Sequence, residues 1–142
     1  MLFRSGANVY TGGTKINCLE VRASNAKAFA DGLVEVGRGC GSGGQVKFTK
    51  AMTMANNFKI SGNGAKHYGG TSSETDHGAL WFAAAGVKLT GDVEIVRDAR
   101  VTARGGANYE GVFEGVVSGG RLGLMRSTGR VVMANEIGRA HV

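Results

Sequence analysis

Residues 87–103 read Val87-Lys-Leu-Thr-Gly-Asp-Val-Glu-Ile-Val-Arg-Asp-Ala-Arg-Val-Thr-Ala103, and they carry the clearest secondary-structure signal in the chain. Apolar and polar residues alternate in three short segments, as they do in strands that bury one face. The apolar pairs are Val87/Leu89, Val93/Ile95 and Val101/Ala103. Because such pairs recur about every 8–10 residues from here onward, the pattern predicts an all-β fold, a small antiparallel barrel or sandwich.

The same alternation occurs earlier in the chain. Val46 and Phe48 share one face of a predicted strand, and Phe58 and Ile60 flank Lys59 in the same way. Glycine doublets mark the turns, in a chain with 25 glycines and no proline. The doublets are Gly12-Gly13, Gly43-Gly44, Gly69-Gly70, Gly105-Gly106 and Gly119-Gly120. The segments between them do not repeat closely enough to predict a solenoid.

One segment has helical rather than strand spacing. In Ser24–Val36 the apolar residues fall on one helical face, with Ser24 or Asn25 as a candidate N-cap and Gly37 as a stop. We therefore expect one short helix near residues 25–36.

The chain has the size of one domain. Its 142 residues, 42% hydrophobic and 20% charged, have a globular composition and can bury a core without disulfides or metals. We expect an extended N-terminal arm over residues 1–13 and a single β-rich domain over residues 14–142. No apolar stretch of signal-peptide length precedes Arg4, and no apolar run reaches the length of a membrane span. We therefore expect a protein made in the cytoplasm.

The two cysteines, Cys18 and Cys40, are too few for a disulfide framework and lack zinc-ligand spacing. Two reduced thiols are the favoured interpretation. A disulfide within or between subunits remains the alternative.

The net charge of +6 is unevenly distributed. Residues 1–73 contain nine Lys or Arg and three Asp or Glu, whereas residues 74–142 contain eight of each kind. The first half is therefore expected to present a basic face to an acidic partner. The candidate docking residues are Arg4, Lys15, Lys47, Lys50, Lys59 and Lys66. Cations of the neutral half, such as Arg121, Arg126 and Arg130, are expected to contribute far less.

Catalytic and cofactor patterns are weak. The loop Gly39–Gly44 matches G-x-G-x-x-G, but a strand follows it instead of a helix, and no acidic residue lies about 20 positions on. The histidines His67, His77 and His141 are too far apart for a local metal motif and are expected on the surface. We therefore expect a non-enzyme with no cofactor and no metal.

Basic and aromatic residues are interleaved at three places, which suggests a second function. Such a pattern is typical of platforms that stack single-stranded nucleic acid. The segments are Lys47-Phe48-Thr-Lys50, Phe58-Lys59 and Lys66-His67-Tyr68. However, Phe48 and Phe58 share their faces with apolar residues, so only Tyr68 is expected to be available for stacking. A nucleic-acid-binding small β-barrel is the alternative function.

The last 32 residues resemble a known family. They read Gly111-Val-Phe-Glu-Gly-Val-Val-Ser-Gly-Gly120-Arg-Leu-Gly-Leu-Met-Arg-Ser-Thr-Gly129-Arg-Val-Val-Met-Ala-Asn-Glu-Ile-Gly138-Arg-Ala-His-Val142. Three short apolar segments separated by Gly-containing turns predict a three-strand meander over residues 111–142. This cadence of glycines and aliphatic residues resembles the small β-barrel modules of tailed-phage capsid decoration, or cement, proteins.

The resemblance implies a virion structural protein with no catalytic chemistry. Such a protein would bind and stabilise the lattice of the major capsid protein as a homo-oligomer, with a trimer favoured. It would be located in the virion, after synthesis in the host cytoplasm, without contact to a membrane. Another phage structural component, of the tail or neck, is the alternative within this class.

Overall fold

The computed structural model of the chain is all-β, and its strands wind into a β-solenoid in which successive coils stack along one axis. The structure describes residues 2–4, 6–39, 43–65, 77–125 and 127–135. These residues form thirteen strands and no helix. Every ladder between the strands is parallel, with a spacing of about 4.8 Å between neighbours, so each coil lies over the one before it.

The strands form three sides of the solenoid. Side A consists of β2 (Thr14–Ile16), β4 (Val34–Val36), β7 (Phe58–Gly62) and the first parts of β10 (Val93–Ala103) and β12 (Val117–Leu124). Side B consists of β1 (Leu2–Arg4), β3 (Glu20–Ala23), β5 (Gln45–Phe48), β8 (Leu80–Phe82) and the last parts of β10 and β12. Side C consists of β6 (Met52–Met54), β9 (Val87–Leu89), β11 (Glu110–Phe113) and β13 (Arg130–Met133).

The chain visits sides A, B and C in that order, and one such circuit is a coil. Coil 1 contains β2 and β3, coil 2 contains β4–β6, coil 3 contains β7–β9, coil 4 contains β10 and β11, and coil 5 contains β12 and β13. The strand β10 serves two sides because it turns a corner at residues 96–98. Val93–Ile95 pair with β7 on side A, and Val101–Ala103 pair with β8 on side B.

Apolar side chains point into the coils and stack into ladders along the axis. One ladder on side A consists of Val34, Phe58, Val93 and Val117, all of which are buried. On side B, Phe48 stacks on Phe82 with the ring centroids 5.4 Å apart. Phe82 also meets Phe113 of side C edge to face at 5.7 Å. These rings join the sides in one hydrophobic core, which is the main source of stability.

The turns from side C to side A are three residues long and stack on one another. Gly91 and Gly115 occupy the middle position of two successive turns, and a Cβ on either would overlap a backbone carbonyl of the preceding turn. The turns are also joined by side chains: Asn57 Oδ1 accepts a hydrogen bond from the Asp92 amide, and Asp92 Oδ1 accepts one from the Val116 amide, each at 2.9 Å. Glycine is therefore required here by the close stacking of the coils.

The all-β prediction is confirmed, but the predicted antiparallel barrel or sandwich is wrong. Alternation of apolar and polar residues identifies a strand, but it does not fix the direction of its neighbour. The apolar pairs in residues 87–103 belong to sides C, A and B in turn rather than to neighbouring strands. The sequence does not reveal the repeat because the coils differ in length: Val93 pairs with Val117, 24 residues later, and with Phe58, 35 residues earlier.

The predicted meander over residues 111–142 is wrong for the same reason. The strands β11 and β13 pair with each other in parallel on side C, and β12 pairs with β10. The short connection of residues 114–116 therefore turns the chain onto the next side instead of reversing it. Residues 136–142 lie outside the described residues.

A turn replaces the helix that was predicted near residues 25–36. Asn25 Oδ1 accepts a hydrogen bond from the Lys27 amide at 2.8 Å, and the Asn25 carbonyl accepts one from the Ala28 amide at 3.0 Å. Ala30 has a φ of 52°, which interrupts any helical repeat. The last residues of the predicted helix, Val34–Val36, form β4. The apolar spacing that suggested a helix reflects the burial of this turn against the core.

Part of the segment predicted as an extended arm, residues 1–13, is described by the structure. Leu2–Arg4 form β1 and pair in parallel with β3. Residues 6–13 contain no strand, but they are tied to the turn of coil 1, because Asn8 donates hydrogen bonds from its amide to Lys27 O at 3.0 Å and from Nδ2 to Ala28 O at 2.7 Å.

Cys18 is part of a disulfide. This corrects the favoured interpretation of two reduced thiols. The other cysteine of the sequence, Cys40, lies outside the described residues.

Candidate anion-binding cleft

A cleft of about 390 Å³ lies at the corner between sides A and B. Coils 2 to 5 all contribute to it, so it extends along the solenoid axis. Its lining residues are Arg38, Asn63, Asp98, Ala99, Arg100, Arg121, Leu122 and Gly123. The volume falls within the range of ligand-binding pockets, and the lining contains three guanidinium groups and one carboxylate.

Arg38 follows β4, and its side chain extends over the next coil. A Cβ placed on Gly62 of coil 3 would lie 3.2 Å from Arg38 Cγ and 3.4 Å from Arg38 Nε. Because Gly62 has no side chain, the stem of Arg38 lies directly against the backbone of the next coil. This contact brings the Arg38 guanidinium to the level of coil 3.

Arg100 is placed in the same way two coils further along. A Cβ on Gly123 of coil 5 would lie 3.3 Å from Arg100 Cγ. Beyond Gly123, Arg100 Nη1 contacts Met125 Sδ at 3.2 Å. A thioether is a weak acceptor, so this contact leaves most of the donor capacity of the guanidinium available to a ligand.

Arg121 and Asp98 form an ion pair across neighbouring coils. Their positions are in register, and Arg121 Nε donates a hydrogen bond to Asp98 Oδ1 at 3.1 Å. The two side chains are 78% and 63% exposed, respectively. Water screens such an exposed pair strongly, so the pair contributes little to stability and can exchange partners.

The electrostatics of the cleft favour an anion. Its lining has three positive charges against one negative charge. Guanidinium groups offer forked donors that match a carboxylate or phosphate, and their charge persists at all physiological pH values. The cleft can therefore bind an anionic group through several arginines that come from different coils.

A smaller pocket of about 210 Å³ adjoins the cleft, and Arg38 lines both. It lies on the outer face of side A and includes two of the predicted docking residues, Lys15 and Lys59. Outward residues of this face alternate in charge from coil to coil, in the order Lys15, Glu35, Lys59 and Glu94. Lys15 Nζ lies 3.5 Å from Glu35 Oε2. The alternation partly neutralises both lysines, so the arginine cleft has the stronger excess of positive charge.

Two other predicted docking residues, Lys47 and Lys50, do not line this pocket. Lys47 lies on side B with its Nζ 3.7 Å from the centre of the Trp81 ring. Lys50 is exposed in the turn between β5 and β6. The side chain of Arg4 and the whole of Lys66 lie outside the described residues. Among the described candidates, Lys47 and Lys50 therefore lie apart from Lys15 and Lys59.

Sequence reasoning missed the arginines of the cleft. Arg38 was not among the candidates, and Arg100 and Arg121 belong to the half with no net charge. Of the cations expected to contribute less, Arg121 lines the cleft, Arg130 pairs with Glu110, and Arg126 lies outside the described residues. Each contact between an arginine side chain and a glycine joins positions about one coil apart in the sequence. This pairing of arginine with glycine can therefore be found only after the coils are recognised.

The aromatic residues do not form a stacking platform within the described part of the chain. Phe48 and Phe58 are 0% and 1% exposed. Trp81 is covered on both faces, since His77 stacks on it with the ring centroids 4.0 Å apart while Lys47 occupies the other face. Tyr68 lies outside the described residues.

Of the three histidines predicted to lie on the surface, His77 belongs to the described residues. His77 is 6% exposed, so its predicted surface position is wrong. It is buried where it stacks against the Trp81 ring. His67 and His141 lie outside the described residues.

No group of three or more His, Cys, Asp or Glu is arranged to hold a metal ion in the described ranges. None of the described segments is a helix with the length and apolar character needed to cross a membrane. Comparisons with protein-family models, curated proteins and solved structures find no match to the chain.

Proposed function

We propose that the chain is a non-catalytic structural protein of a virion, which attaches to an acidic surface of the capsid lattice through the arginine cleft. The observation that carries the proposal is the convergence of Arg38, Arg100 and Arg121, from three different coils, on one cleft that contains a single carboxylate. An acidic protein surface supplies the carboxylates that such a cleft is suited to bind.

The architecture supports a docking role. Ladders of buried apolar residues and stacked turns hold the coils in register. The backbone that carries the three arginines is therefore rigid. A preorganised surface loses less entropy when it binds than a flexible one does. Lys15 and Lys59, in the adjoining pocket, extend the same basic surface and add long-range attraction for an acidic partner.

The expected oligomer is part of the proposal. The resemblance to decoration proteins implies a trimer that lies over junctions of the capsid lattice. Sedimentation velocity at micromolar concentration should therefore give the mass of an oligomer. A monodisperse monomer would count against the decoration role, although a tail or neck component would remain in agreement with the cleft.

The attachment itself can be tested with capsids assembled from the major capsid protein encoded in the same genome. A cleft variant carries Arg38→Gln, Arg100→Gln and Arg121→Gln. A control variant carries Lys27→Gln, Lys88→Gln and Arg130→Gln, which lowers the net charge equally at exposed sites outside the cleft. Co-sedimentation should show that the native chain and the control variant bind the capsids, whereas the cleft variant does not.

Two results would contradict the proposal. Equal binding of both variants would show that net charge, and not the cleft, drives attachment. Tight binding of a single-stranded oligonucleotide, lost in the cleft variant while native capsids bind no protein, would instead assign the cleft to nucleic acid.

A further inference from the structure

We infer that Asp98 is a built-in competitor at the cleft, and that the natural ligand is a carboxylate group that replaces Asp98 on Arg121. This inference rests on the proposed function and deepens it, because it states how the acidic partner is recognised. The relevant observation is the hydrogen bond from Arg121 Nε to Asp98 Oδ1, in a cleft otherwise lined by positive and neutral residues.

The guanidinium group of Arg121 has more donors than Asp98 uses. A guanidinium group has five N–H donors in a planar fork, and two parallel donors can hold one carboxylate. Asp98 takes the Nε donor of Arg121 in the structure. A ligand carboxylate that binds Arg121 through its Nε edge must therefore displace Asp98.

Asp98 is placed so that it can leave Arg121 easily. Asp98 is 63% exposed, so its carboxylate can be solvated as soon as it leaves Arg121. It lies at the corner of β10, where the ladder to β12 changes register between Ile95 and Asp98. The side chain is therefore at an irregular point of the strand, outside the core, and it can move without disturbing the apolar ladders.

A ligand in the cleft gains contacts that Asp98 does not make. Arg38 and Arg100 line the same cleft and form no ion pair with any carboxylate of the described residues. A ligand that displaces Asp98 would meet these two guanidinium groups as well as Arg121. An extended acidic segment with several carboxylates can make all of these contacts, whereas Asp98 makes one.

The nature of the displaced group identifies the ligand chemistry. The position on Arg121 Nε already accommodates a planar carboxylate at hydrogen-bonding distance, 3.1 Å. A ligand carboxylate can take up the same geometry without rearrangement of the arginine. The cleft is therefore assigned to acidic side chains of a protein partner, and Asp98 lowers the affinity for them.

The test uses hexaglutamate as the probe and isothermal titration calorimetry on the full chain. Asp98→Asn keeps the shape of the side chain and should increase the affinity about threefold, in line with the strength of an exposed ion pair. Glu94→Gln is the matched control, because it removes one exposed negative charge from the same strand outside the cleft. It should change the affinity much less. Thermal denaturation should show that both variants remain folded.

A double variant separates local competition from a general charge effect. In an Arg121→Gln background, Asp98→Asn should no longer increase the affinity by more than Glu94→Gln does. An equal increase from Asp98→Asn with and without Arg121 would overturn the inference. So would equal effects of Asp98→Asn and Glu94→Gln in the native background.

The same titrations distinguish the inference from the proposed function. If the cleft variant still binds hexaglutamate and capsids as well as the control variant, the proposed function fails. If the cleft variant loses binding but Asp98→Asn gives no local increase, only the role of Asp98 fails. Stronger binding of tripolyphosphate than of hexaglutamate by the native chain would overturn the assignment to carboxylates.

Discussion

The side chain of Arg38 lies against Gly62 of the following coil, with Arg38 Cγ 3.2 Å from the place that a Cβ on Gly62 would occupy. Arg100 has the same relationship to Gly123, at 3.3 Å. In both cases, the absence of a side chain on one coil provides the space for an arginine from an earlier coil. The cleft therefore depends on two glycines as well as on its charged residues.

Substitution of Gly62 should affect both stability and binding. Gly62 has a φ of +89°, a conformation that costs an L residue about 1–3 kcal/mol. Gly62→Ala should therefore lower the free energy of unfolding in urea by about that amount and reduce the affinity for hexaglutamate. Gly12→Ala is the control, since a Cβ there meets nothing within 4 Å. Equal stability of the two variants would refute the described backbone at Gly62.

Gly115 tests the stacking of the turns. A Cβ at this position would overlap the carbonyl oxygen of Gly91 in the preceding coil, so the backbone must shift to accept it. We expect Gly115→Ala to destabilise the protein by about 2 kcal/mol, a typical penalty for overpacking. Urea denaturation measures this, with Gly12→Ala again as the control. A loss below about 0.5 kcal/mol, the range of neutral surface changes, would argue against the close stacking of coils 4 and 5.

Phe82 tests the shared core. It contacts Phe48 of side B and Phe113 of side C, and it is fully buried. Phe82→Ala should cost about 3–5 kcal/mol because it removes a large apolar side chain and leaves a cavity. Val9→Ala, at a residue that is 92% exposed, should change stability by less than about 0.5 kcal/mol. Similar melting temperatures for the two variants would contradict the position of Phe82 in the core.

Asp92 tests the side-chain links between turns. Asp92→Ala removes the acceptor for the Val116 amide, a loss that should cost about 1 kcal/mol. Glu94→Ala, two residues further on in β10 and exposed, should cost clearly less. Hydrogen exchange should also show faster exchange of the Val116 amide in the Asp92 variant. Unchanged exchange at Val116 would show that this hydrogen bond is not formed in solution.

The disulfide at Cys18 can be tested by chemical modification. Because Cys18 is disulfide-bonded, iodoacetamide should not modify it in the native protein under non-reducing conditions. After treatment with dithiothreitol, peptide mass spectrometry should detect carbamidomethylated Cys18. Modification of Cys18 before reduction would restore the interpretation of a free thiol.

The strands were predictable from the sequence where the alternation was regular. Val46 and Phe48 are buried as predicted, and Phe58 and Ile60 are buried on either side of Lys59. The direction of pairing was not predictable, because paired strands in a solenoid are one coil apart in the sequence. On side A, this separation varies from 24 to 35 residues from coil 2 onward. Local spacing contains no information about such a distant partner.

The three-residue turns also make it difficult to assign residues to the correct face of a strand. Val116 continues the apolar alternation of the segment that contains Val112, but it lies in a turn and is exposed, while the next inward residue is Val117. The turn changes the phase of the alternation, so a pattern read across it assigns the wrong face. The corners between the sides could not be predicted, and for that reason the cleft could not be predicted either. Its arginines converge only when coils 2 to 5 are stacked.

The location of the acidic ligand can be observed directly in the native protein. Nitrogen-15-labelled chain is titrated with hexaglutamate, and the Nε–Hε resonances of the arginine side chains are followed by NMR. We predict that the resonances of Arg38, Arg100 and Arg121 shift with one common dissociation constant, while those of Arg22 and Arg130, outside the cleft, do not move. Shifts of equal size at all arginines, or shifts at Arg22 and Arg130 alone, would contradict the assignment of docking to the cleft.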